Sequence, residues 1–215
     1  MVGIITVDDA IDVIKEEAEE DFAVMAGITP SETATTYLRT PVLTIWKSRI
    51  PWLLLLMISA TFTGLIISSF EASLSACVAL TAFIPMLMDT GGNAGGQASV
   101  TIIRGISLNE IEFKDIFRVI FKEMRVAILC GVTLAAANFV KLLLFDKVGI
   151  MVAVVVCLTL IAAVIIAKMV GCLLPLLAKK IGFEPAVMAS PFITTLVDAI
   201  SLLIYFKIAQ MLLKI

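Results

Sequence analysis

The 215-residue sequence predicts an all-α integral membrane protein, with five transmembrane helices per subunit preceded by an amphipathic cytosolic helix region. Three observations lead there. The chain is 60% hydrophobic with a mean hydropathy of +1.09, where a soluble domain is about half apolar. After residue 49 it contains repeated apolar runs of about twenty residues, the length a bilayer requires. Charge is divided unevenly: residues 1–49 carry nine acids and four bases, and the remainder nine acids and twelve bases. An acidic polar segment thus precedes a mildly basic membrane domain.

The elements follow in order. Val2–Val7 reads as a short β-type run. Asp8 and Asp9 then stand where a helix start is capped, before a stretch with Ile11 and Ile14 on one stripe. A lone strand and helix cannot form a core, so residues 1–22 are expected to be the end of a domain. Glu16, Glu17, Glu19, Glu20 and Asp21 form either a solvated helix face or a divalent-cation sensor whose carboxylates repel until neutralised. Gly27–Ser31 reads as a turn, Ser31–Arg39 as the start of a further helix, and Trp46, Lys47, Arg49 and Trp52 suit a membrane surface.

Five spans are expected, at about 50–69, 74–88, 126–145, 149–177 and 186–206. Phe70–Ser73 makes the first turn. Pro85 breaks the second span, and the Gly-rich stretch Asp89–Gln97 ends it as irregular backbone, tolerable at membrane depth only in a protein-buried or water-lined place. Residues 104–125 are amphipathic, with Ile111, Ile116, Val119 and Ile120 on the apolar side. Lys168 is expected to snorkel towards the interface and Pro175 to kink the fourth span. Basic residues before the first span, between the second and third, and at Lys179–Lys180 place the N-terminus in the cytosol and the C-terminus outside a plasma (inner) membrane.

Composition also narrows the chemistry. The chain has no histidine, the commonest general base and transition-metal ligand. Its four cysteines lie in apolar runs without a C-x-x-C pair and read as small hydrophobes. No nucleophile–base pair is visible, so an enzyme is not expected, and no basic patch suggests nucleic acid.

The most informative residue is Asp198, near the middle of the last apolar run. A carboxylate at that depth is costly unless it meets a partner, an ion or water. Thr194 lies one turn earlier on the same face, Thr195 beside it and Ser201 three residues later. The second constellation is the Asp89–Gln97 stretch, with the amides of Asn93 and Gln97. Together they suggest a cation path. Few acids lie at depth, so a dehydrated Ca²⁺ cage is disfavoured. An ion that keeps its waters and binds one or two carboxylates, as Mg²⁺ does, fits better. The two halves show no internal repeat, so symmetry has to come from a dimer.

These stretches carry a resemblance. Arg49-Ile-Pro-Trp-Leu53, Phe70-Glu71, Thr90-Gly-Gly-Asn-Ala-Gly-Gly-Gln97, Phe121-Lys-Glu-Met124 and Pro191-x-x-x-Thr195-x-x-Asp198 with Ile204-Tyr205 resemble the MgtE magnesium channel/transporter family over nearly the whole chain. The resemblance implies a homodimer with a pore at its axis, lined by the second and fifth spans. It implies hydrated Mg²⁺ bound at Asp198, with Thr194 and Thr195 beside it. Asp89, Gly91, Gly92, Asn93, Gln97, Ser190 and Pro191 are the candidate pore-lining residues and Glu71 the outer entrance. Residues 1–22 resemble the end of a CBS domain and 23–49 the family's plug helix. Asp12, Glu17, Glu20 and Asp21 are then candidate cytosolic Mg²⁺-sensing acids. Much of the family's cytosolic pattern has no counterpart in this sequence, so their partners there are missing. The expected function is Mg²⁺ uptake down its electrochemical gradient. The alternatives are a proton- or sodium-coupled divalent-cation exchanger, and a non-conducting membrane scaffold that senses Mg²⁺.

Overall fold

A computed structural model describes residues 6–29, 37–188 and 190–215. They form seven α-helices joined by short 3₁₀ turns, with no strand among the described residues. The strand expected over residues 2–7 lies mostly outside the described residues, but Val7 itself opens helix α1 (Val7–Met25). The helix cap differs from expectation. Thr6 is the N-cap and Asp9 sits at the third helical position. The Thr6 hydroxyl accepts from the Asp9 amide at 3.3 Å, and the Asp9 carboxylate accepts from the Thr6 amide at 2.9 Å. This reciprocal box satisfies two amides that a single Asp cap would leave open. The carboxylate of Asp9 is held below its ordinary range, first by the hydrogen bond the Thr6 hydroxyl donates to it at 2.6 Å and then by that from the Thr6 amide.

A turn at Gly27, with a φ of +70° that favours glycine, follows α1 and itself lies against the next helix. A side chain there would collide with the Trp52 ring, and the Thr29 amide donates to the Ser48 carbonyl at 3.0 Å. The helix start expected from Ser31 falls mainly outside the described residues; Tyr37–Arg39 is a 3₁₀ turn. Helix α2 then runs unbroken over Val42–Ser69, beginning eight residues before the expected span and continuing through Pro51.

The second span departs most from expectation. It is built from a short helix α3 (Glu71–Ala76), a 3₁₀ segment (Val78–Phe83) and a long helix α4 (Ile84–Ser107). Pro85 starts α4 rather than breaking a helix: in the first turn its missing N–H costs no hydrogen bond. Asp89–Gln97 is regular helix, not irregular backbone. Gly91, Gly92 and Gly95 lie on the side that meets α6 and α7. A Cβ on Gly92 would sit 2.8 Å from the Thr194 methyl, one on Gly95 2.8 Å from Ile193, and one on Gly171 of α6 would collide with the Gly95 carbonyl oxygen. Each helical glycine costs about 0.5–1 kcal/mol relative to Ala. Backbone-to-backbone packing, the usual glue between membrane helices, offsets that cost.

Helix α5 (Ile116–Leu144) begins ten residues before the expected third span, and α6 (Ile150–Lys180) passes through Pro175 as one helix. The expected apolar side of the amphipathic stretch does cluster. Ile111, Ile116, Val119 and Ile120 pack on Ile102, Ile106, Cys172 and Leu176. Helix α7 (Ser190–Leu213) closes the bundle. Its Tyr205 is fully buried and donates to the Leu80 carbonyl at 2.9 Å. Its Gln210 amide donates to the Ser73 hydroxyl at 3.1 Å, which ties the α3 segment to α7.

Among the described residues, four stretches are long and apolar enough to cross a membrane: Val42–Ser69, Phe113–Leu144, Ile150–Lys180 and Pro191–Leu213. Helix α4 has 24 residues, about 36 Å at 1.5 Å per residue, which is also long enough. It is too polar to rank with the four. The chain is an all-α multi-pass membrane protein in which α6 is central, packed against α4, α5 and α7, and α4 is less lipid-like than the four apolar stretches.

Candidate functional site

Helix α4 has two faces of opposite character. Gly91, Gly92, Gly95 and Ala98 are buried against α6 and α7. Asp89, Asn93, Gln97 and Thr101 lie four residues apart, which places them on one face, and all four are exposed in the single chain. A carboxylate, two amides and a hydroxyl thus form a polar stripe along a membrane helix. Every backbone group beneath it is satisfied within the helix, so the side chains alone supply the polarity.

Asp198, half-buried on α7, stands beside the upper end of this stripe, near enough to Asp89 for the two carboxylates to interact electrostatically. Among the described residues, no Lys or Arg forms an ion pair with Asp198. The contact of α4 with α7 that sets this juxtaposition depends on the glycines. Gly91 faces Val197 and Ser201, and Gly92 faces Thr194. Ser201 is therefore buried in packing rather than standing open beside Asp198. The hydroxyls of Thr194 and Thr195 both donate to the Pro191 carbonyl at 2.9 Å. Thr195 lines a mostly apolar cavity of about 270 Å³ between α2 and α7, with Leu55, Phe62 and Leu196. Pro191 is half-buried. Ser190 opens α7, and its side chain lies outside the described residues.

Two further cavities follow the polar stripe. One of about 520 Å³ is lined by Asp89, Thr90, Asn93 and Gln97 of α4, with Thr133 of α5 and Lys168 of α6. The other, of about 750 Å³, is lined by Asn93, Gln97, Thr101, Glu123 and Lys168. Lys168 does not snorkel. Its side chain is buried, and Nζ lies 3.5 Å from Oε2 of Glu123. The acid on α5 offers a nearer counter-charge than the interface does. Among the described residues, no three His, Cys, Asp or Glu side chains converge as a direct metal cage. The donor set suits an ion that keeps its waters.

At the opposite end, α1 packs on the 3₁₀ turn Pro185–Met188 that precedes α7. This brings Asp21, Glu20 and Glu17 near Glu184. Partial burial pushes the Glu184 carboxyl above its ordinary range; Asp21, which also shares a hydrogen bond with it, Glu20 and Glu17 add to that shift. Asp12 lies away from this group and makes a 3.7 Å exposed pair with Lys15. Glu71 is exposed in the first turn of α3, where a carboxylate favours the helix N-terminus.

Comparison with known proteins bears on what this geometry belongs to. A family profile, MgtE, described as a divalent cation transporter, matches residues 84–208, which include both Asp89 and Asp198. The chain belongs to the MgtE family. It is 35% identical to the magnesium transporter MgtE of Thermus thermophilus over 100% of this chain and 47% of that protein. It is 38% identical to MgtE of Bacillus subtilis over 97% of this chain and 45% of that protein, and 32% identical to MgtE of Enterococcus faecalis over 100% and 46%. The chain thus spans about half the length of the curated relatives it matches.

Within this chain, the structure brings Asp89 near Asp198, sets Asn93 and Gln97 further along the same face of α4, turns Gly91 and Gly92 into packing, and sends Thr195 to the α2 side. Sequence reasoning missed Glu184 and the Lys168–Glu123 pair. Glu184 gives no signal in sequence, because it stands over 160 residues from the acids it meets. The glycine packing did carry one: Gly91 and Gly95, and Gly92 and Gly96, recur at the four-residue spacing of close helix contacts.

The acids around Glu184 have a pH consequence. A carboxyl whose value is raised by docking holds its proton more tightly docked than undocked. Docking of α1 is then favoured below the ordinary value of 4.5 and weakens as pH rises through the raised one. At pH 7.5 without divalent ions, α1 is expected to be readily cleaved by protease. Acidification, or Mg²⁺ at neutral pH, should protect it, and Glu184→Gln should remove most of the pH response. Cleavage insensitive to both pH and Mg²⁺ would count against this.

Proposed function

We propose that this chain forms a Mg²⁺-selective, channel-like pore that carries the ion into the cell down its electrochemical gradient. The single observation that carries the reading is the polar stripe Asp89–Asn93–Gln97–Thr101, exposed on a membrane helix beside a carboxylate, Asp198, with no basic partner among the described residues. Such a face is costly against lipid. A second copy related by a two-fold axis would turn two stripes towards one another and enclose water between them. Two Asp198 carboxylates would then face one hydrated cation, with the amide oxygens of Asn93 and Gln97 accepting from its waters.

In this reading the N-terminus is cytosolic, the C-terminus outside, and the protein lies in the inner membrane. The ion is drawn in near Glu71, pauses at Asp198 and moves along α4 towards the cytosol. The membrane potential supplies about 2.3 kcal/mol per charge per 100 mV, about twice that for a divalent ion. Residues 1–22 end a CBS domain, and residues 23–49 connect it to the pore as a plug. Asp12, Glu17, Glu20 and Asp21 sense cytosolic Mg²⁺. The docking of α1 near Glu184 supports placing three of those acids, Glu17, Glu20 and Asp21, where an ion could hold the segment to the membrane domain.

The test is Mg²⁺ uptake into liposomes that contain the purified chain, with an imposed inside-negative potential. Uptake that increases with the potential and does not depend on a pH or Na⁺ gradient supports the channel. Uptake that requires either gradient would replace it with a coupled exchanger. No uptake from folded protein would favour a scaffold that only senses Mg²⁺.

A further inference from the structure

The Lys168–Glu123 pair is not used by the path just described. It is deeply placed: Lys168 lies twelve residues before the end of α6 and Glu123 seven residues after the start of α5. At 1.5 Å per residue these are roughly 18 Å and 10 Å from the helix ends. The two side chains are 7% and 13% exposed. Burying two charges is compensated only when the geometry is close and the remaining polar atoms are satisfied. Here the contact is long, 3.5 Å, and Oε2 of Glu123 has no hydrogen bond. Such a pair is poorly explained as a stabilising device.

It is also not sealed. Both residues line the cavity of about 750 Å³ shared with Asn93, Gln97 and Thr101 of the polar stripe. Six waters occupy roughly 180 Å³ at about 30 Å³ each, so a hydrated divalent cation fits. The Thr101 hydroxyl donates to the carbonyl of Gln97 at 2.8 Å and keeps its lone pairs for an acceptor role. Carboxylate, amide and hydroxyl oxygens are what the water shell of a hard cation requires. The ammonium of Lys168 already sits on that carboxylate.

We propose that Glu123, with Asn93 and Gln97, is a second station for a hydrated divalent cation, and that Lys168 is its resident counter-ion, displaced when the cation arrives. The inference rests on the transport reading above and extends its path beyond Asp198. It makes a sign-specific demand. Neutralising Lys168 frees the carboxylate and strengthens cation binding. Neutralising Glu123 removes the station and leaves a repelling ammonium beside the stripe.

The experiment uses the full chain in detergent micelles, titrated with Mn²⁺ and read by electron paramagnetic resonance in an Asp198→Asn background. Mg²⁺ uptake into liposomes is measured in parallel in the parent background. Lys168→Met should lower the Mn²⁺ concentration for half-occupancy about tenfold, with Mg²⁺ competing. Glu123→Gln should remove one bound Mn²⁺ per chain and slow uptake at least fivefold. The double variant should bind no more Mn²⁺ than Glu123→Gln alone. Lys168→Gln serves as the second variant if Lys168→Met does not fold. A purely structural pair would shift both single variants in the same direction, with a common fall in melting temperature; that result, or an unchanged Mn²⁺ count in Glu123→Gln, overturns the station. Failure of the parent to take up Mg²⁺ while the Glu123-dependent Mn²⁺ count stands would instead overturn the transport reading alone.

Discussion

Asp198→Asn is expected to lower Mg²⁺ uptake by the parent chain in liposomes at least tenfold, the equivalent of about 1.4 kcal/mol or more at the ion site. The substitution preserves shape and removes one charge from each subunit. Asp198 has no ion-pair partner among the described residues, and it faces a like charge on Asp89. Neutralising it therefore removes repulsion and desolvation cost rather than a stabilising contact. The melting temperature should stay the same or rise. Lost uptake with an unchanged or higher melting temperature marks an ion site, whereas lost uptake with a lower one marks unfolding. Equal uptake by parent and variant would move the site away from Asp198 along the α4 stripe.

The second large effect concerns packing. Gly171→Ala is expected to destabilise the protein by at least the 1–3 kcal/mol typical of overpacking. The new Cβ would collide with the Gly95 carbonyl oxygen and stand 3.2 Å from the Ala98 side chain. The obstructing atom is backbone of a second helix, so no rotamer change relieves it, and α4 must move away from α6. Because α4 carries Asp89, Asn93 and Gln97, uptake should fall together with the melting temperature. Gly64→Ala is the control. Nothing lies within 4 Å of its Cβ, and the position is helical and exposed. There the gain in helix propensity should leave stability equal or slightly higher. Equal melting temperatures for the two variants would show that α4 and α6 are not in backbone contact.

The two variants also separate what was legible in the chain from what was not. Asp198 was legible because a carboxylate inside an apolar run of membrane length has few uses. The all-α membrane class was legible from the same run lengths, and the cluster around Ile111, Ile116, Val119 and Ile120 from helical periodicity. The helix through Asp89–Gln97 was misread because glycine carries two opposite meanings. Its freedom suits irregular backbone, and its lack of a side chain suits two helices in contact. Local sequence cannot choose between them, because the partner backbone lies at Ala167 and Gly171, over seventy residues away. Lys168 was misread for a related reason. Snorkelling is the default for a lysine that ends an apolar run, as Lys168 does after Ala167, and only the position of Glu123 across the α5–α6 contact overrides it.

By itself, then, the sequence determined the class, the polar and apolar periodicity of each helix and the depth of Asp198, because these depend on neighbours within a turn or a span. The tertiary structure alone decided which side of α4 is buried, that Asp89 meets Asp198, that Glu184 meets the acids of α1, and that Lys168 is held by Glu123. Each of these depends on helix–helix contacts between residues far apart in the chain, where close approach of backbone and the cost of unpaired charge select one arrangement.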